Sequence, residues 1–418
     1  MPNNSTETMP VPGDNPNDNI SKHRYAGSQL QGGRAYQEDT AAWFKSDSAS
    51  LDLTPLQIGQ RLWTAYRQID AEILRDKTLE QVGSTAVTTV IKNNFLITAL
   101  LADAAAFAAV YNESGEVIDV YRLNAREHKP ELERARIMEF EDYYVLNGRV
   151  WGRLAVSRAI GDAFFLPVIA DSDISIVDLS NIPAGYSVKL ISCSDGFTDG
   201  ARKQVKTLGD VKKAQENYLK EAIAAAGKSE TISEGQLSDH LAYWAITNGS
   251  SDNVTVAVQT VKRPNEVPGF MGMSGVYDGH GGQQVSAYIA ARIQDKLETL
   301  FAMSEEDYQK LEDSAFSQEK AFLRDNTDLK VFDLNTRLKK PEPVSETSAA
   351  SDAEKLSAPG SSGFFESNSS PKKGLKRTVS ILDLKTVITD TGNTRDTEDE
   401  QRNKKARRDD SSSSSFVP

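Results

Sequence analysis

Hydrophobic positions along the chain recur with two periods, one typical of helices and one typical of strands. A helix is predicted to start at Thr54 and Pro55, which suit an N-cap and a first helical position. Its apolar stripe consists of Ile58, Leu62, Tyr66, Ile69 and Ile73. A second stripe recurs every four residues and consists of Val285, Ile289, Ile293 and Leu297. We expect both helices to pack these stripes into a core.

Three apolar stretches are candidate strands. Residues 187–196 (SVKLISCSDG) have the pattern of a buried strand that runs into an Asp-Gly turn, and residues 253–261 (NVTVAVQTV) alternate with a period of two. Residues 95–111 (FLITALLADAAAFAAVY) are apolar throughout, but their alanines suit a helix equally well. The body of the chain therefore alternates strand-like and helix-like patterns.

Composition narrows the class of protein. Of the 418 residues, 39% are hydrophobic and 26% are charged, which is ordinary for a folded body with polar tails. The formal net charge of −12 argues against a nucleic-acid groove across the whole body. The one cysteine, Cys193, excludes an internal disulfide and fits a reducing compartment. The N-terminus does not look like a secretory signal, and no run approaches the roughly 18 apolar residues of a membrane span.

The polar tails define the expected domain boundaries. Residues 1–22 are rich in Asn and Pro, and residues 341–418 are rich in Ser, Ala, Pro and Glu, so both are predicted to be disordered. Residues 23–305 form the expected folded body. Residues 306–340 are a candidate helical extension, because the stretch EEDYQKLEDSAFSQEKAFL has helical spacing.

Two basic clusters in the tail bear on location. Residues 372–377 (KKGLKR) and 402–408 (RNKKARR) are typical either of a solvated charge run or of a nuclear import signal. We therefore expect an intracellular protein, cytoplasmic or nuclear. Delivery of a bacterial protein into a host cell is an alternative.

Acidic residues gather at predicted strand ends and turns. They are Glu38, Asp39, Asp195, Asp199, Asp252 and Asp278. Any one of them is typical of a turn or cap carboxylate, but four such segments in one body favour a shared role. Hard cations such as Mg²⁺ and Mn²⁺ prefer several carboxylates, a backbone carbonyl and waters. The pattern predicts a metal site.

Connectivity predicts how two of these carboxylates meet. If residues 253–261 and 268–277 pair as a hairpin around the loop 262–269, Asp252 and Asp278 lie at the same end of the sheet. Carboxylates that share an ion lie within about 5 Å of each other. The hairpin therefore predicts that Asp252 and Asp278 are a pair of ligands for one metal ion.

Seven motifs match one family. The chain resembles the metal-dependent serine/threonine protein phosphatases of type 2C, from about residue 25 to 300. The matching segments are Arg34 to Asp39, Gly83 to Ala86, Glu127 to Pro130, 147–162 (NGRVWGRLAVSRAIGD), Ser194 to Asp199, Asp252 to Thr255 and Val276 to Gly282. Such a set is highly specific.

Two features depart from the family pattern. The segment with Asp278, roughly 266–305, follows the Asp252 motif, whereas the family places it directly after the Arg34 motif. We expect this relocated segment to occupy its usual place in the fold. The family's Gly-Asp-Ser-Arg appears as Ala102-Asp103-Ala104-Ala105, which keeps only the Asp.

The resemblance implies a fold and a set of ligands. The expected fold is α+β, a four-layer α-β-β-α sandwich of two antiparallel sheets flanked by helices, with permuted strand connectivity. Asp278 would bridge two Mn²⁺ or Mg²⁺ ions. The other implied ligands are Asp195 and Asp252 at the first ion, the Gly279 carbonyl at the second, and Glu38 with Asp39 through metal-bound waters. Asp103 and Asp199 would hold a third, weaker ion with Asp195, or are solvated turn carboxylates.

The resemblance also implies catalytic roles. Arg34 would hold phosphate oxygens in a bidentate fork, and His280 would protonate the leaving oxygen or serve as a structural turn histidine. The implied reaction is hydrolysis of phosphoserine and phosphothreonine in proteins by a dimetal-activated water. We expect phosphoprotein substrates, a monomer, and neither nucleic acid nor a membrane as partner. The alternatives are an inactive phosphatase-like binding protein and a dimetal hydrolase of small phosphoesters.

Overall fold

The computed structural model describes most of the body of the chain. The described residues are 25–46, 52–124, 126–202, 210–228, 232–261, 271–316, 329–333 and 338. The predicted disordered segments 1–22 and 341–418 lie outside them, as do the basic clusters and the predicted loop 262–269.

Strands and helices alternate along these residues. The strands are β1 (Tyr25–Leu30), β2 (Thr40–Ser46), β3 (Gly83–Ser84), β4 (Ala86–Lys92), β5 (Phe95–Leu101), β6 (Ala105–Tyr111), β7 (Val117–Arg122), β8 (Val145–Leu146), β9 (Arg149–Val150), β10 (Ile160–Gly161), β11 (Asp173–Asp178), β12 (Ser187–Cys193), β13 (Val254–Val261), β14 (Met271–Tyr277), β15 (Gly279–His280) and β16 (Leu329–Asp333). The helices are α1 (Pro55–Ile73), α2 (Arg134–Ile137), α3 (Asp195–Arg202), α4 (Val211–Ala226), α5 (Glu234–Thr247), α6 (Gln284–Ala302) and α7 (Glu305–Phe316).

Two sheets packed face to face form the centre of the molecule. In the described part of the chain, one sheet has the order β1-β13-β12-β6-β7 and the other the order β16-β11-β5-β4-β14-β2. Helices α1 and α6 pack on the outer face of the second sheet, and α3, α4 and α5 pack on the outer face of the first. The predicted α+β sandwich of antiparallel sheets flanked by helices is confirmed. One detail differs, because β16 pairs with β11 in parallel.

The two predicted amphipathic helices are confirmed. Thr54 caps α1: its hydroxyl accepts a hydrogen bond from the Gln57 backbone N–H at 3.3 Å, and Gln57 Oε1 accepts one from the Thr54 N–H at 2.9 Å. The stripes of α1 and α6 are buried together on the six-stranded sheet. Among the described helices, none combines the length and the apolar character needed to cross a bilayer.

The ambiguous stretch 95–111 forms two strands, β5 and β6. They are joined by a turn at Ala102, whose φ is +67°. Successive residues of β6 contribute to different cores, Phe107 to the core under the helices and Ala108 to the core between the sheets. A strand that is buried on both faces has no polar positions, which is why no alternation appears in the sequence.

The predicted hairpin of residues 253–261 and 268–277 is wrong. Strand β13 lies between β1 and β12 in the first sheet, whereas β14 lies between β4 and β2 in the second. Both edges of each strand are therefore already paired, so neither has a free edge for the other. Strand β14 pairs antiparallel with β2, with Tyr277 opposite Thr40. Strand β14 thus lies beside the strand that follows the Arg34 motif. The relocation of its segment relative to the family order stays a prediction.

Candidate active site

Strand register brings the acidic residues to one edge of the sandwich. In the second sheet Thr40 is opposite Tyr277, so Asp39 and Asp278 leave the sheet side by side. In the first sheet the Ser194 N–H donates to the Thr255 carbonyl at 3.1 Å, which places Asp195 beside the Asp252 loop. The carboxyl groups of Asp278 and Asp195 interact electrostatically across the two sheets. Acidic residues of the two sheets therefore approach each other at this edge, but the pair is Asp195 with Asp278, whereas the predicted meeting of Asp252 with Asp278 stays a prediction.

Burial and mutual repulsion perturb these carboxyl groups. Burial raises the pKa of Asp39 to about 6. Burial, together with the charge of Asp103, raises the pKa of Asp195 to about 7. Burial raises the pKa of Asp278 well above its ordinary value, and Asp39 and Asp195 raise it further. Carboxylates clustered in this way are stable in their charged form only beside cations.

Loop 31–38 is held over this edge by Asn253, a residue that the sequence analysis missed. Asn253 Nδ2 donates to the Gln31 and Tyr36 carbonyls at 2.8 and 2.9 Å, and its Oδ1 accepts from the Glu38 N–H at 2.9 Å. Arg34 of the same loop is half-exposed, and its Nη2 lies 2.5 Å from Asp252 Oδ2. The signal for Asn253 was its place in the Asp-Asn-x-Thr motif.

His280 forms an ion pair with Asp162, a second residue that was missed. His280 Nε2 lies 2.6 Å from Asp162 Oδ2, and Asp162 is 1% exposed. Burial alone would lower the pKa of His280, but the Asp162 carboxylate outweighs burial and raises it. Gly83 makes room for the pair, because a Cβ there would lie 2.2 Å from Asp162 Oδ2 and 2.6 Å from His280 Nε2. Asp162 is the last residue of the motif 147–162.

Gly279 lies against the loop that carries Glu38. A Cβ on Gly279 would lie 2.5 Å from the Glu38 carbonyl oxygen. Ser286 from helix α6 donates a hydrogen bond to that same carbonyl. The Glu38 side chain contributes to the electrostatic environment of His280, so the structure brings Glu38, Gly279 and His280 to the same edge as the buried aspartates.

Asp199 and Asp103 have cationic partners. Asp199 was predicted in a turn, which is wrong, since it lies within helix α3, one turn after Asp195. The Asp-Gly start of this helix resembles a turn locally, but acidic residues are stabilised near a helix N-terminus. Burial would raise the pKa of Asp103, but the charges of Lys129 and Arg202 outweigh it and lower the pKa.

The donors at this edge fit a hard divalent ion in kind. Both carboxylate oxygens of Asp39 are buried without a hydrogen bond of good geometry, which is the state expected of a ligand or a ligand-water acceptor. Oxygen donors of this kind suit Mg²⁺ or Mn²⁺. Among the residues that the structure describes, no group of three or more acidic, His or Cys side chains is placed so that it could hold a metal ion. Asp252, one of the implied ligands, is paired with Arg34.

Without metal, the stability of the fold should fall as the pH rises from about 4 to about 7. The raised pKa values of Asp39 and Asp195, about 6 and about 7, mean that the folded state binds more protons than the unfolded state in this window. The stability that these two groups contribute is therefore fully present below the ordinary pKa of an aspartate, and it is lost above the raised pKa values. The Tm of chelated protein should be lower at pH 7.5 than at pH 5, and Mn²⁺ should raise it more at pH 7.5.

Asp278→Asn is the matched control for this dependence, since it removes one of the repelling charges and should flatten the slope. A chelated Tm that rises between pH 5 and 7.5 would contradict the assigned cluster.

Known proteins are similar to this chain in sequence. A family model described as Protein phosphatase 2C matches residues 21–254, more than half of the chain. Probable protein phosphatase 2C 8 of Oryza sativa subsp. japonica is 29% identical over 215 residues, 47% of this chain and 48% of that protein. Protein phosphatase 1E of Mus musculus is 30% identical over 226 residues, 51% of this chain and 26% of that protein. The chain thus spans about half of the length of the rice relative and about a quarter of the mouse relative.

The chain also has a weak likeness to a solved structure. The structure of serine-threonine phosphatase 2C from Toxoplasma gondii is 19% identical, with a TM-score of 0.39, and the match covers 61% of this chain and 97% of that one. The family match ends at residue 254, before the Asp278 segment, so the relocation of that segment stays a prediction. The extent of the family match is decisive for classification: this chain belongs to the protein phosphatase 2C family.

Proposed function

We propose that this chain hydrolyses phosphoserine and phosphothreonine in proteins with the help of two divalent ions, Mn²⁺ or Mg²⁺. The observation that carries the proposal is the convergence of the buried carboxyl group of Asp39 with the partly buried ones of Asp195 and Asp278 at one edge of the sandwich. The charges of Asp103 and Glu38 both act on His280. This indicates that the His280–Asp162 pair lies at the same edge. An acidic cluster beside an acid–base residue is the donor set of a phosphate hydrolase.

The roles of the ligands follow the family pattern. Asp278, whose carboxyl group is acted on by the charges of both Asp39 and Asp195, would bridge the two ions. Asp195 and Asp252 would complete the first, and the Gly279 carbonyl would bind the second, with Glu38 and Asp39 acting through waters. When bound, the two ions would supply an activated water and neutralise phosphoryl charge.

Arg34 and His280 perform the remaining tasks. The Arg34 guanidinium is half-exposed beside Asp252, so it can present two N–H groups to a phosphate that docks at this edge. His280 would donate its proton to the serine or threonine oxygen as that oxygen leaves. Asp162 holds the imidazole by one nitrogen and favours its protonated form, which is the form that a general acid needs.

Chelation tests the proposal. EDTA should abolish turnover of phosphoserine and phosphothreonine peptides, and Mn²⁺ or Mg²⁺ in excess should restore it. A small aryl phosphate assayed in parallel separates the two rival functions. Turnover of the aryl phosphate alone would favour a hydrolase of small phosphoesters, and turnover of neither substrate would favour a binding protein.

Asp278→Asn protein purified in the same way controls for contaminating phosphatases. Full peptide turnover in excess chelator, absent from the Asp278→Asn preparation, would show that the chain works without metal and would overturn the proposal.

Phosphoprotein substrates follow from the proposed reaction. The monomeric state, the absence of nucleic acid and of a membrane as partners, and the cytoplasmic or nuclear location stay predictions. The basic clusters 372–377 and 402–408, on which the location depends, lie outside the described residues.

A further inference from the structure

Arg202 ends helix α3 and places its guanidinium among four carboxylates beside the proposed metal centre. Its Nη2 lies 2.8 Å from Glu127 Oε2 and 3.5 Å from Asp103 Oδ2. Its Nη1 lies 3.5 Å from Asp199 Oδ1 and 3.8 Å from Asp195 Oδ2. One side chain therefore lies within ion-pair distance of every carboxylate that the family resemblance assigns to a third ion.

Arg202 is anchored from behind. Glu127, to which it makes its shortest contact, is 5% exposed and accepts a hydrogen bond from Gln215 Nε2 at 2.9 Å. Arg122, which is 1% exposed, places its Nη1 3.5 Å from the same Glu127 carboxylate. Arg202 itself is only 21% exposed. These contacts fix the guanidinium in position, which distinguishes it from a loose surface arginine.

The local negative charge is largely compensated without a further ion. Lys129 forms an ion pair with Asp103, so two cations face the three carboxylates of Asp103, Asp195 and Asp199. A divalent ion among those carboxylates would lie within about 4 Å of the Arg202 guanidinium, and like charges at that separation repel strongly in a partly buried site. The residues present do not fit a third ion while Arg202 holds this position.

We propose that Arg202 takes the place of a third divalent ion, so that the centre combines two exchangeable ions with one fixed guanidinium. The inference rests on the proposed function, because it concerns the occupants of the same centre. A guanidinium stays charged at every physiological pH and cannot dissociate into solvent. The positive charge that Arg202 places beside Asp103, Asp195 and Asp199 is therefore independent of the free metal concentration.

Counting bound Mn²⁺ on the full chain tests the inference without any assay of turnover. Equilibrium dialysis, with the free ion measured by electron paramagnetic resonance, should find two ions per native chain even at millimolar free Mn²⁺. Arg202→Met should bind a third, weaker ion, because the cation is gone and the carboxylates remain. Arg202→Lys should stay at two. Arg292→Met, the same substitution at an exposed position of helix α6, is the matched control and should also stay at two.

Asp199→Asn in the native background decides the question even where Arg202→Met does not fold. The count should stay at two, since Arg202 and not an ion is the partner of Asp199. Three ions on the native chain, with one lost in Asp199→Asn, would overturn the inference and leave the proposed function intact. A folded Arg202→Met protein that gains no ion would also overturn it. A native chain that binds fewer than two ions would overturn both.

Discussion

Asp278→Asn should lower turnover of a phosphopeptide by roughly 10³-fold, the largest effect expected of any single substitution. Bound ions stabilise transition-state charge by several kcal/mol, and each 1.4 kcal/mol or so changes the rate about tenfold. Asp278 is the carboxylate proposed to serve both ions, and the charges of Asp39 and Asp195 both act on it. The measurement is kcat on a phosphoserine peptide at saturating Mn²⁺, together with the number of Mn²⁺ ions bound.

Asp103→Asn is the matched comparison, since it makes the same chemical change at a nearby buried carboxylate. Asp103 is paired with Lys129 and Arg202, so its loss should lower kcat far less and leave two ions bound. A greater loss of activity in Asp103→Asn than in Asp278→Asn, at saturating metal, would show that the bridging role is misassigned.

Arg158→Met should be among the most destabilising substitutions, although Arg158 lies outside the proposed site. Arg158 is 1% exposed, forms an ion pair with Glu133, and lies 3.5 Å from Asp173. Burial alone would raise the pKa of Glu133, but Arg158 outweighs it and holds the pKa at about 2. Removing the cation leaves the buried carboxylates of Glu133 and Asp173 without full charge compensation. This should lower the free energy of unfolding by about 3 kcal/mol or more. The Tm should fall by on the order of 10 °C, measured with Mn²⁺ present.

Arg149→Met is the control, because Arg149 is exposed in the same part of the chain, where its Nη1 donates to the Arg153 carbonyl at 2.7 Å. Its Tm should change by no more than a few degrees. Equal losses in the two variants would mean that the buried ion pairs of Arg158 contribute no more than a surface arginine does.

Local pattern was sufficient for several parts of this molecule. The Thr54 cap and the stripes of α1 and α6 depend on residues within a few turns of each other, so periodicity alone identified them. The acidic residues could be selected because carboxylates beside turns and glycines are recognisable one segment at a time. The family itself was recognisable because its motifs are short and contiguous.

The tertiary structure decided what depends on residues far apart in the chain. Strand partners are one example. The alternation of residues 253–261 specifies which side chains face inward, but it does not specify which strand pairs with each edge. Only the folded chain shows that β13 and β14 lie in different sheets. Ion partners are another. Asp162 supports His280 from 118 residues away, and nothing near Arg202 in the sequence indicates that its guanidinium reaches Asp103. The sequence by itself determined helices α1 and α6, the acidic ligand candidates and the family, because each is encoded over a short window. Only the folded chain decided which charges meet, because the interaction between two charges depends on their separation in space.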